Sequence, residues 1–359
     1  MVMQFSGRIR NDLSFRNIGA IYVFVLVLVI FWVLVPKLFP TMETVRAIAN
    51  TYSLSAIAAL AVVIPLASGT FDASIGGNIS LSGVMCAWLL SRTELPIAVV
   101  ILATLGVGLV IAVANIIVVV LLKIPSIIGT LAIWLIADAL AVAVANNQTL
   151  SSTRVSGAFS YQFYAYSWGG FTIPILFTGV IAIILGVILA RTVAGRYIYA
   201  VGFDPYVARL SGIRVGAVQA GALVSSGLIG AFAGIVLTAS VSSATPGAGD
   251  SFLLPAFAAV FVGATQFRAK RFNATGTIVA VILLGTGQYG LLLDGAPQWS
   301  PNIFQGVALI AAIGVSHLRS MRRATPVEDT GQSATKAAET PTLARDPDGT
   351  SAATLPNRP

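Results

Sequence analysis

The sequence predicts an all-α polytopic membrane protein with about ten transmembrane helices and a disordered C-terminal tail. Hydrophobic residues make up 57% of the 359 positions, and charged residues make up only 9%. Because a soluble domain carries about 25% charged residues, this chain has too few to cover a globular surface. Apolar stretches recur along the chain, many of them close to the roughly 20 residues that a helix needs to cross a bilayer.

Ten apolar segments are candidate membrane spans. They lie within 18–38, 48–68, 76–91, 96–122, 125–145, 171–190, 216–240, 252–267, 273–293 and 301–318. Lys and Arg concentrate in cytoplasmic loops, so their placement tests this count. With the N-terminus inside, 14 basic residues before the distal tail fall on the cytoplasmic side and 4 fall outside. The bias predicts ten spans with both termini in the cytoplasm.

These segments divide the chain into three predicted parts. Residues 1–17 form a cytoplasmic N-terminal segment, and 18–323 form the membrane domain, which includes a hydrophilic loop at 191–215. Residues 324–359 are rich in Thr, Ala, Pro, Asp and Glu and contain no aromatic residue. Such a composition cannot bury enough apolar surface to fold, so we predict a disordered cytoplasmic tail.

The third and eighth segments are short and follow breaks in the apolar pattern. The third follows a Gly-rich stretch at 68–77, and the eighth starts near Phe252, follows a Gly-containing stretch at 244–250 and is interrupted by Pro255. Each is third in its half if the chain divides into five plus five segments, and an odd number inverts the second half. In transporters with inverted repeats, such paired short segments mark a site near the bilayer midplane. Two inverted five-helix halves are therefore a hypothesis.

Several polar residues fall at these breaks or inside spans, and we predict that they line a translocation pathway. Asp72, Gly76 and Asn78 stand at the start of the third segment. Broken helices are tolerated at membrane depth only where they are buried in protein or line a wet cavity. The alternative is an ordinary cytoplasmic turn in which Asp72 caps the following helix.

Asp138 and Asn115 lie inside the fifth and fourth segments. A mid-membrane Asp costs about 2.5–3.5 kcal/mol to insert, which the surrounding aliphatic residues offset. Asp138 shares a small and polar helix face with Thr130, Trp134, Ala137, Ala141 and Ala145. Such a face suits a cavity or packing against protein, so Asp138 either lines the pathway or bonds a neighbouring helix. For Asn115, the corresponding alternative is a hydrogen bond between helices.

Other functions find no support in the sequence. One cysteine, Cys86, and one histidine, His317, cannot form a metal-ligand set, and no nucleophile stands beside a base. We predict no cofactor, no metal and no catalytic residue. The sequence has no basic stretch interleaved with aromatic residues, so nothing in it indicates nucleic-acid binding. The Walker A pattern is absent, so the chain does not hydrolyse ATP itself.

The loop at 191–215 contains a complete signal for a short helix from Asp204 to Ser211. Asp204 suits the N-cap, Pro205 the first helical position and Gly212 the position after the C-terminus. A helix of about two turns is unstable alone in water, so it must pack on something. Its apolar side, with Tyr206, Val207 and Leu210, faces either a partner protein or the bundle of the chain itself.

Several stretches, in order, resemble the permeases of ribose-type sugar ATP-binding-cassette importers, within the group that includes branched-chain amino-acid permeases. They are Phe-Asp-Ala-Ser-Ile-Gly (71–76), Lys-Ile-Pro-Ser-Ile-Ile-Gly-Thr-Leu (123–131), Gly-Arg-Tyr-Ile-Tyr-Ala-Val-Gly (195–202), Ala-Arg-Leu-Ser-Gly-Ile-Arg-Val (208–215), Ser-Ser-Ala-Thr-Pro-Gly-Ala-Gly (242–249) and Pro-Ala-Phe-Ala-Ala-Val-Phe-Val-Gly-Ala-Thr (255–265). The resemblance covers about residues 50–318. The chain departs from many members at Leu253 and Pro255, where they carry acids, and at Asp138, where some carry Arg.

The resemblance implies a non-catalytic subunit of the bacterial inner membrane, paired with a second permease subunit that is identical or related. A cytoplasmic ATP-binding-cassette ATPase and an extracytoplasmic sugar-binding protein would complete the importer. The residues that would couple the chain to the ATPase are Asp204, Pro205, Tyr206, Arg209, Leu210 and Gly212.

Three alternatives remain open at this point. The cargo of such an importer could be a branched-chain amino acid or a nucleoside instead of a simple sugar. An ion-coupled secondary transporter would use Asp72 and Asp138 as coupling acids and would not need a docking helix. A membrane scaffold would leave the paired short segments unexplained.

Overall fold

The computed structural model describes residues 19–264 and 271–321, and these ranges are mainly helical. The helices are α1 (Gly19–Leu34), α2 (Met42–Ala67), α3 (Ile75–Arg92), α4 (Ile97–Asn115), α5 (Ser126–Ala145), α6 (Ile173–Arg191), α7 (Val193–Phe203), α8 (Pro205–Leu210), α9 (Val215–Val241), α10 (Leu253–Ala264), α11 (Ala274–Leu293) and α12 (Ser300–Met321). The described residues up to Ser316 belong to one compact unit, and 317–321 belong to another. The predicted segments 1–17 and 324–359 lie outside the described residues.

Helices α1 to α6 and α9 to α12 coincide, in order, with the ten predicted segments. Within the described ranges, six helices are long and apolar enough to cross a membrane: α2, α5, α6, α9, α11, and α4 together with its π-helical continuation Ile116–Leu121. The prediction of a helical polytopic membrane protein is confirmed, while the count of ten spans stays a prediction. Helix α2 begins at Met42, before the predicted start at 48, because the Thr41 side chain accepts from the Thr44 amide at 3.2 Å.

Helix α7 was not predicted, because we read 191–203 as loop. It forms because the Thr192 hydroxyl accepts from the Gly195 amide at 3.2 Å, which caps the helix, and because Ile198 and Val201 are buried. The prediction that Pro255 interrupts the eighth segment is also wrong. Pro255 lies in the first turn of α10, where its missing N–H costs no helical hydrogen bond.

The connection between α5 and α6 also has structure that the sequence did not indicate. Two π-helical turns, Val155–Phe159 and Tyr161–Ala165, precede a hairpin. Strand β1 (Ser167–Trp168) pairs antiparallel with β2 (Phe171–Thr172). Gly169 and Gly170 form the turn between the strands with positive φ angles of 59° and 85°, the turn geometry that matches the twist of paired strands.

Helices α2 and α9 form the centre of the bundle and pack on each other. Helix α3 packs against α4, α5 and α9, and α10 packs against α2 and α11. In the hypothetical repeat, α2, α3 and α4 of the first half correspond to α9, α10 and α11 of the second. The pair α3–α9 then corresponds to α10–α2, and the pair α4–α9 corresponds to α11–α2. All four pairs are in contact. These four contacts agree with two repeated five-helix halves, which stay a hypothesis.

Close helix contacts depend on glycine, most clearly where α4 crosses α9. A Cβ on Gly108 would collide with the carbonyl oxygen of Gly227, while a Cβ on Gly106, two residues away on the same helix, would meet nothing within 4 Å. Small residues that let helix backbones approach are the usual means of packing in membranes, where the lipid is as apolar as the side chains.

We therefore expect Gly108→Ala to lower the stability of the bundle by about 1–3 kcal/mol through overpacking. The matched variant Gly106→Ala should leave stability unchanged or raise it slightly, because the added methyl meets open space. Thermal unfolding of the two purified variants in detergent measures the difference. Equal melting temperatures for both would contradict the described crossing of α4 and α9.

Candidate functional site

The chain between α2 and α3 is a break in the helical path that lies inside the protein. Ser68, Thr70, Asp72 and Ser74 are all buried. Side chains of α5 bond backbone amides of the break: the Phe71 amide donates to Ser126 Oγ at 3.1 Å, and the Ala73 amide donates to Thr130 Oγ1 at 2.9 Å.

Asp72 is the centre of a buried polar network at this break. Its Oδ1 accepts from the Ser74 amide at 3.0 Å and from the Ser74 hydroxyl at 2.6 Å. The Asn115 Nδ2 group donates to Ser74 Oγ at 2.7 Å and lies 3.4 Å from Asp72 Oδ1. The alternative that made Asp72 the helix cap agrees in part with the structure: Ser74 stands at the N-cap position of α3 without a capping bond from its own side chain, and Asp72 Oδ1 accepts from the Ser74 amide. Asn115 ties α4 to the break, as the alternative of a hydrogen bond between helices required.

Asn78 connects the first turn of α3 to α9. Its Nδ2 group donates to the carbonyl oxygen of Gly227 at 2.8 Å, and its Oδ1 accepts from Ser82 Oγ at 3.0 Å. Asn78 and Ser82 are both buried. Asn78 and Ser82 are therefore satisfied by protein groups and not by lipid or bulk water.

A second polar cluster lies on another side of α3. Ser80 Oγ donates to Asp138 Oδ1 at 3.2 Å and accepts from the Gly247 amide at 2.7 Å. The Trp134 Nε1 group donates to Asp250 Oδ1 at 2.7 Å. A Cβ built on Gly247 would lie 3.9 Å from Asp138 Oδ1 and 3.7 Å from Asp250 Oδ2, so both carboxylates border the same side of this glycine.

The second cluster is partly open, unlike the first. Trp134, Asp138 and Asp250 are half-buried. A small cavity borders Ser80 on the side of Thr238 and Thr245. In the described ranges the ion pairs are Arg46–Glu43 and Arg154–Glu94, so neither carboxylate of the cluster pairs with a cation there. The cluster therefore offers hydrogen-bond acceptors beside an aromatic ring.

The structure divides the predicted pathway residues between these two clusters. Asp72 and Asn115 share the first network, with Asn78 one turn further along α3. Asp138 belongs to the second, as does Gly76, where an added Cβ would lie 3.3 Å from Asp250 Oδ1. Phe252 joins neither: it follows Asp250 in a 3₁₀ turn and packs against the apolar core.

Sequence reasoning missed Asp250, Ser80 and the hydrogen bond of Trp134. One signal could have identified Asp250. It comes three residues before α10, just as Asp72 comes three residues before α3, and both acids follow glycine-containing breaks. Phe71, in the first break, also stacks on Phe257 of α10, with ring centroids 4.2 Å apart.

The α7–α8 segment carries the helix that the sequence predicted. Asp204 Oδ1 accepts from the Tyr206 amide at 2.8 Å and from the Val207 amide at 3.1 Å, which caps α8. Gly212 has a φ of +81° and its amide donates to the Arg209 carbonyl at 3.0 Å. The prediction of this helix and both its caps is confirmed.

Helix α8 packs on the protein by one side only. Ala208 is buried in a small cluster with Val201 and Val215. The opposite side is exposed and apolar, which is unusual for a hydrophilic loop. We define the exposed apolar face as Phe203, Tyr206, Val207 and Leu210, which are 94%, 70%, 55% and 71% exposed.

The chain belongs to the family described as the permease component of branched-chain amino acid transport systems, which matches residues 44–313. It is 29% identical over 299 residues to the fructose import permease protein FrcC of Rhizobium meliloti, covering 82% of this chain and 83% of that protein. It is 27% identical over 288 residues to the ribose import permease protein RbsC of Escherichia coli K12, covering 79% and 89%. It is 28% identical over 312 residues to the L-arabinose transport system permease protein AraH of the same organism, covering 86% and 94%.

No solved structure matches this chain. The resemblance to ribose-type sugar permeases that the sequence motifs carry is confirmed by these relatives. The chain is therefore a multi-pass helical membrane protein of a transport permease family.

The buried network at the break generates a stability prediction. Replacing Asp72 with Ala should lower stability by about 1–3 kcal/mol, because the donors of Ser74 and Asn115 lose a buried acceptor. The matched control Asp294→Ala removes an exposed carboxylate and should change stability by less than about 0.5 kcal/mol. Thermal unfolding in detergent distinguishes them, and an unchanged melting temperature for Asp72→Ala would contradict the described network.

Proposed function

We propose that the chain is the membrane-spanning subunit of an ATP-binding-cassette importer for a simple, ribose-like sugar. The observation that carries the proposal is that relatives named as fructose, ribose and L-arabinose permeases match about four fifths or more of the chain. A separate ATPase subunit would drive the import. The same relatives favour a sugar importer over a permease for branched-chain amino acids or nucleosides and over an ion-coupled secondary transporter.

The second polar cluster is the part of the pathway that we assign to sugar recognition. Carboxylate oxygens accept hydrogen bonds from hydroxyl groups, and Asp138 and Asp250 present such oxygens around Gly247. Trp134 adds an aromatic ring, whose face suits the C–H groups of a sugar. Two carboxylates without a described cation repel anions, so the site favours an uncharged polyol.

The remaining predicted residues would line the rest of the pathway. Asp72, Asn78 and Asn115 are buried and bonded to protein groups, so they hold the break in position. Gly76 lets Trp134 and Asp250 approach α3. Phe252 would form an apolar wall, since it packs on the core beside Asp250.

The exposed apolar face of α7–α8 is the surface that we assign to the ATPase. This face belongs to the loop that charge placement puts on the cytoplasmic side, together with both termini. The membrane would be the bacterial inner membrane. Phe203 extends the predicted coupling set of Asp204, Pro205, Tyr206, Arg209, Leu210 and Gly212. An extracytoplasmic sugar-binding protein would deliver the cargo, and a second permease subunit would complete the membrane core.

The coupling assignment is tested by Leu210→Asp. A carboxylate placed in an apolar contact loses its water without gaining a partner, which costs several kcal/mol. We expect the variant to lose co-purification with the ATPase and ATP-driven uptake of ribose into proteoliposomes. The protein should still insert, because no spanning helix is altered.

Trp168→Asp is the control, because Trp168 is also an exposed apolar residue but lies outside the exposed apolar face. Full ATPase binding by the Leu210 variant would remove the assignment of this face. Uptake by the wild-type protein that proceeds without any ATPase and stops when an ion gradient is dissipated would instead identify a secondary transporter.

The orientation in the membrane is tested with single cysteines after Cys86→Ala. An impermeant thiol reagent added to intact cells should label a cysteine at Ser152 and should leave one at Arg196 unlabelled until the membrane is permeabilised. Ser152 lies in the connection between α5 and α6, and Arg196 is exposed on α7 outside the six long apolar helices, so accessibility reports the side of the membrane. The reverse pattern would exclude the orientation that the charge bias predicts.

A further inference from the structure

Helix α7 meets the break between α2 and α3 backbone to backbone. A Cβ on Gly202 would collide with the carbonyl oxygen of Ala67 and would lie 3.2 Å from the Gly69 amide nitrogen. Gly69 has a φ of +75°, and a Cβ there would lie 3.4 Å from Gly202 Cα. Glycine at both positions therefore lets the two backbones meet with no side chain between them.

The same helix also reaches the connection that precedes α11. The Tyr199 hydroxyl donates to the Phe272 carbonyl at 2.7 Å, and the Arg271 guanidinium carbon lies 5.2 Å from the centroid of the Tyr199 ring. Helix α7 thus bridges the break before α3 and the chain that follows α10, and it leads directly into α8 through Asp204.

The first part of the break is held by backbone hydrogen bonds. The Gly69 amide donates to Leu66 O at 3.1 Å, and the Thr70 amide donates to Pro65 O at 2.9 Å. Asp72 follows two residues later and bonds Ser74 at the start of α3. Few residues without such bonds separate Ala67 and Gly69 from α3, so we expect a displacement of these two residues to displace α3 as well.

We propose that the contact of Gly202 with Ala67 and Gly69 is the point through which α7–α8 moves α3. The contact positions the break and touches no cargo, so Gly202 is a positioning residue for transport. The inference rests on the proposed function, in that it takes the ATPase to dock on the exposed apolar face. It adds that docking and transmission are carried by different residues, which can be separated by mutation.

Gly202→Ala tests the separation, because its methyl would push α7 away from Ala67 without altering the exposed apolar face. In the reconstituted complex we expect ATPase binding within about twofold of wild type and continued ATP hydrolysis. Sugar transported per ATP hydrolysed should fall by about tenfold, within the range of measured coupling between sites. Gly221→Ala is the matched control, because a Cβ at Gly221 meets nothing within 4 Å, and its transport ratio should equal that of wild type.

A second measurement uses the unmodified protein, so the test does not depend on how the Gly202 variant folds. Hydrogen exchange of the amides in 68–74 should change when ATP binds to the wild-type complex, because a transmitted displacement strains the hydrogen bonds of the break. A normal transport ratio in Gly202→Ala, or exchange in 68–74 that is indifferent to ATP, would overturn the transmission role. Both of these results are compatible with ATPase binding, so they would leave the proposed function standing. If the wild-type protein did not bind the ATPase at all, the proposed function itself would be overturned.

Discussion

Helix α3 is too polar to face lipid, and the bundle is arranged so that it does not have to. It carries Asn78, Ser80 and Ser82 within two turns, and an unsatisfied polar group in hydrocarbon costs several kcal/mol. Helix α9 comes close enough to supply backbone acceptors because both helices have glycines at the contact: a Cβ on Gly234 would lie 2.6 Å from the Ile79 carbonyl oxygen. The central position of α9 follows from this need.

The break before α3 leaves backbone amides without helical hydrogen bonds, and side chains of α5 bond two of them. Ser126 and Thr130 accept from the Phe71 and Ala73 amides, which no helix satisfies, and Asp72 accepts from the Ser74 amide at the start of α3. A broken helix is stable inside a membrane protein only when neighbouring groups replace its missing hydrogen bonds. The side chains that permit the break are thus also those that fix the position of the polar clusters.

Most of the fold could be predicted from the sequence because span length and capping are local properties. The ten segments and the signal Asp204-Pro205 with Gly212 depend on residues close together in the chain. Helix α7 was not predicted because it lies in a hydrophilic loop, and the burial of Ile198 and Val201 depends on the tertiary structure of the bundle. The bond of Trp134 to Asp250 joins residues 116 positions apart, and no single-sequence pattern connects them. Asp138 could be identified because inserting an Asp in the middle of a membrane span costs free energy. The residues that contact it could be identified only from the tertiary structure.

The two polar clusters differ in burial but share α3, and this explains how one movement can affect both. Ser74 holds the first cluster at the start of α3, and Ser80 holds the second about two turns further along the same rigid helix. A displacement that enters at Gly69 moves Ser74 and Ser80 together, since a helix transmits a push along its axis without bending. It would shift Ser80 relative to Asp138 on α5 and Gly247 after α9, and so change the shape of the acceptor site around Gly247. A site assembled from three separate elements can in this way be opened or closed by moving one of them.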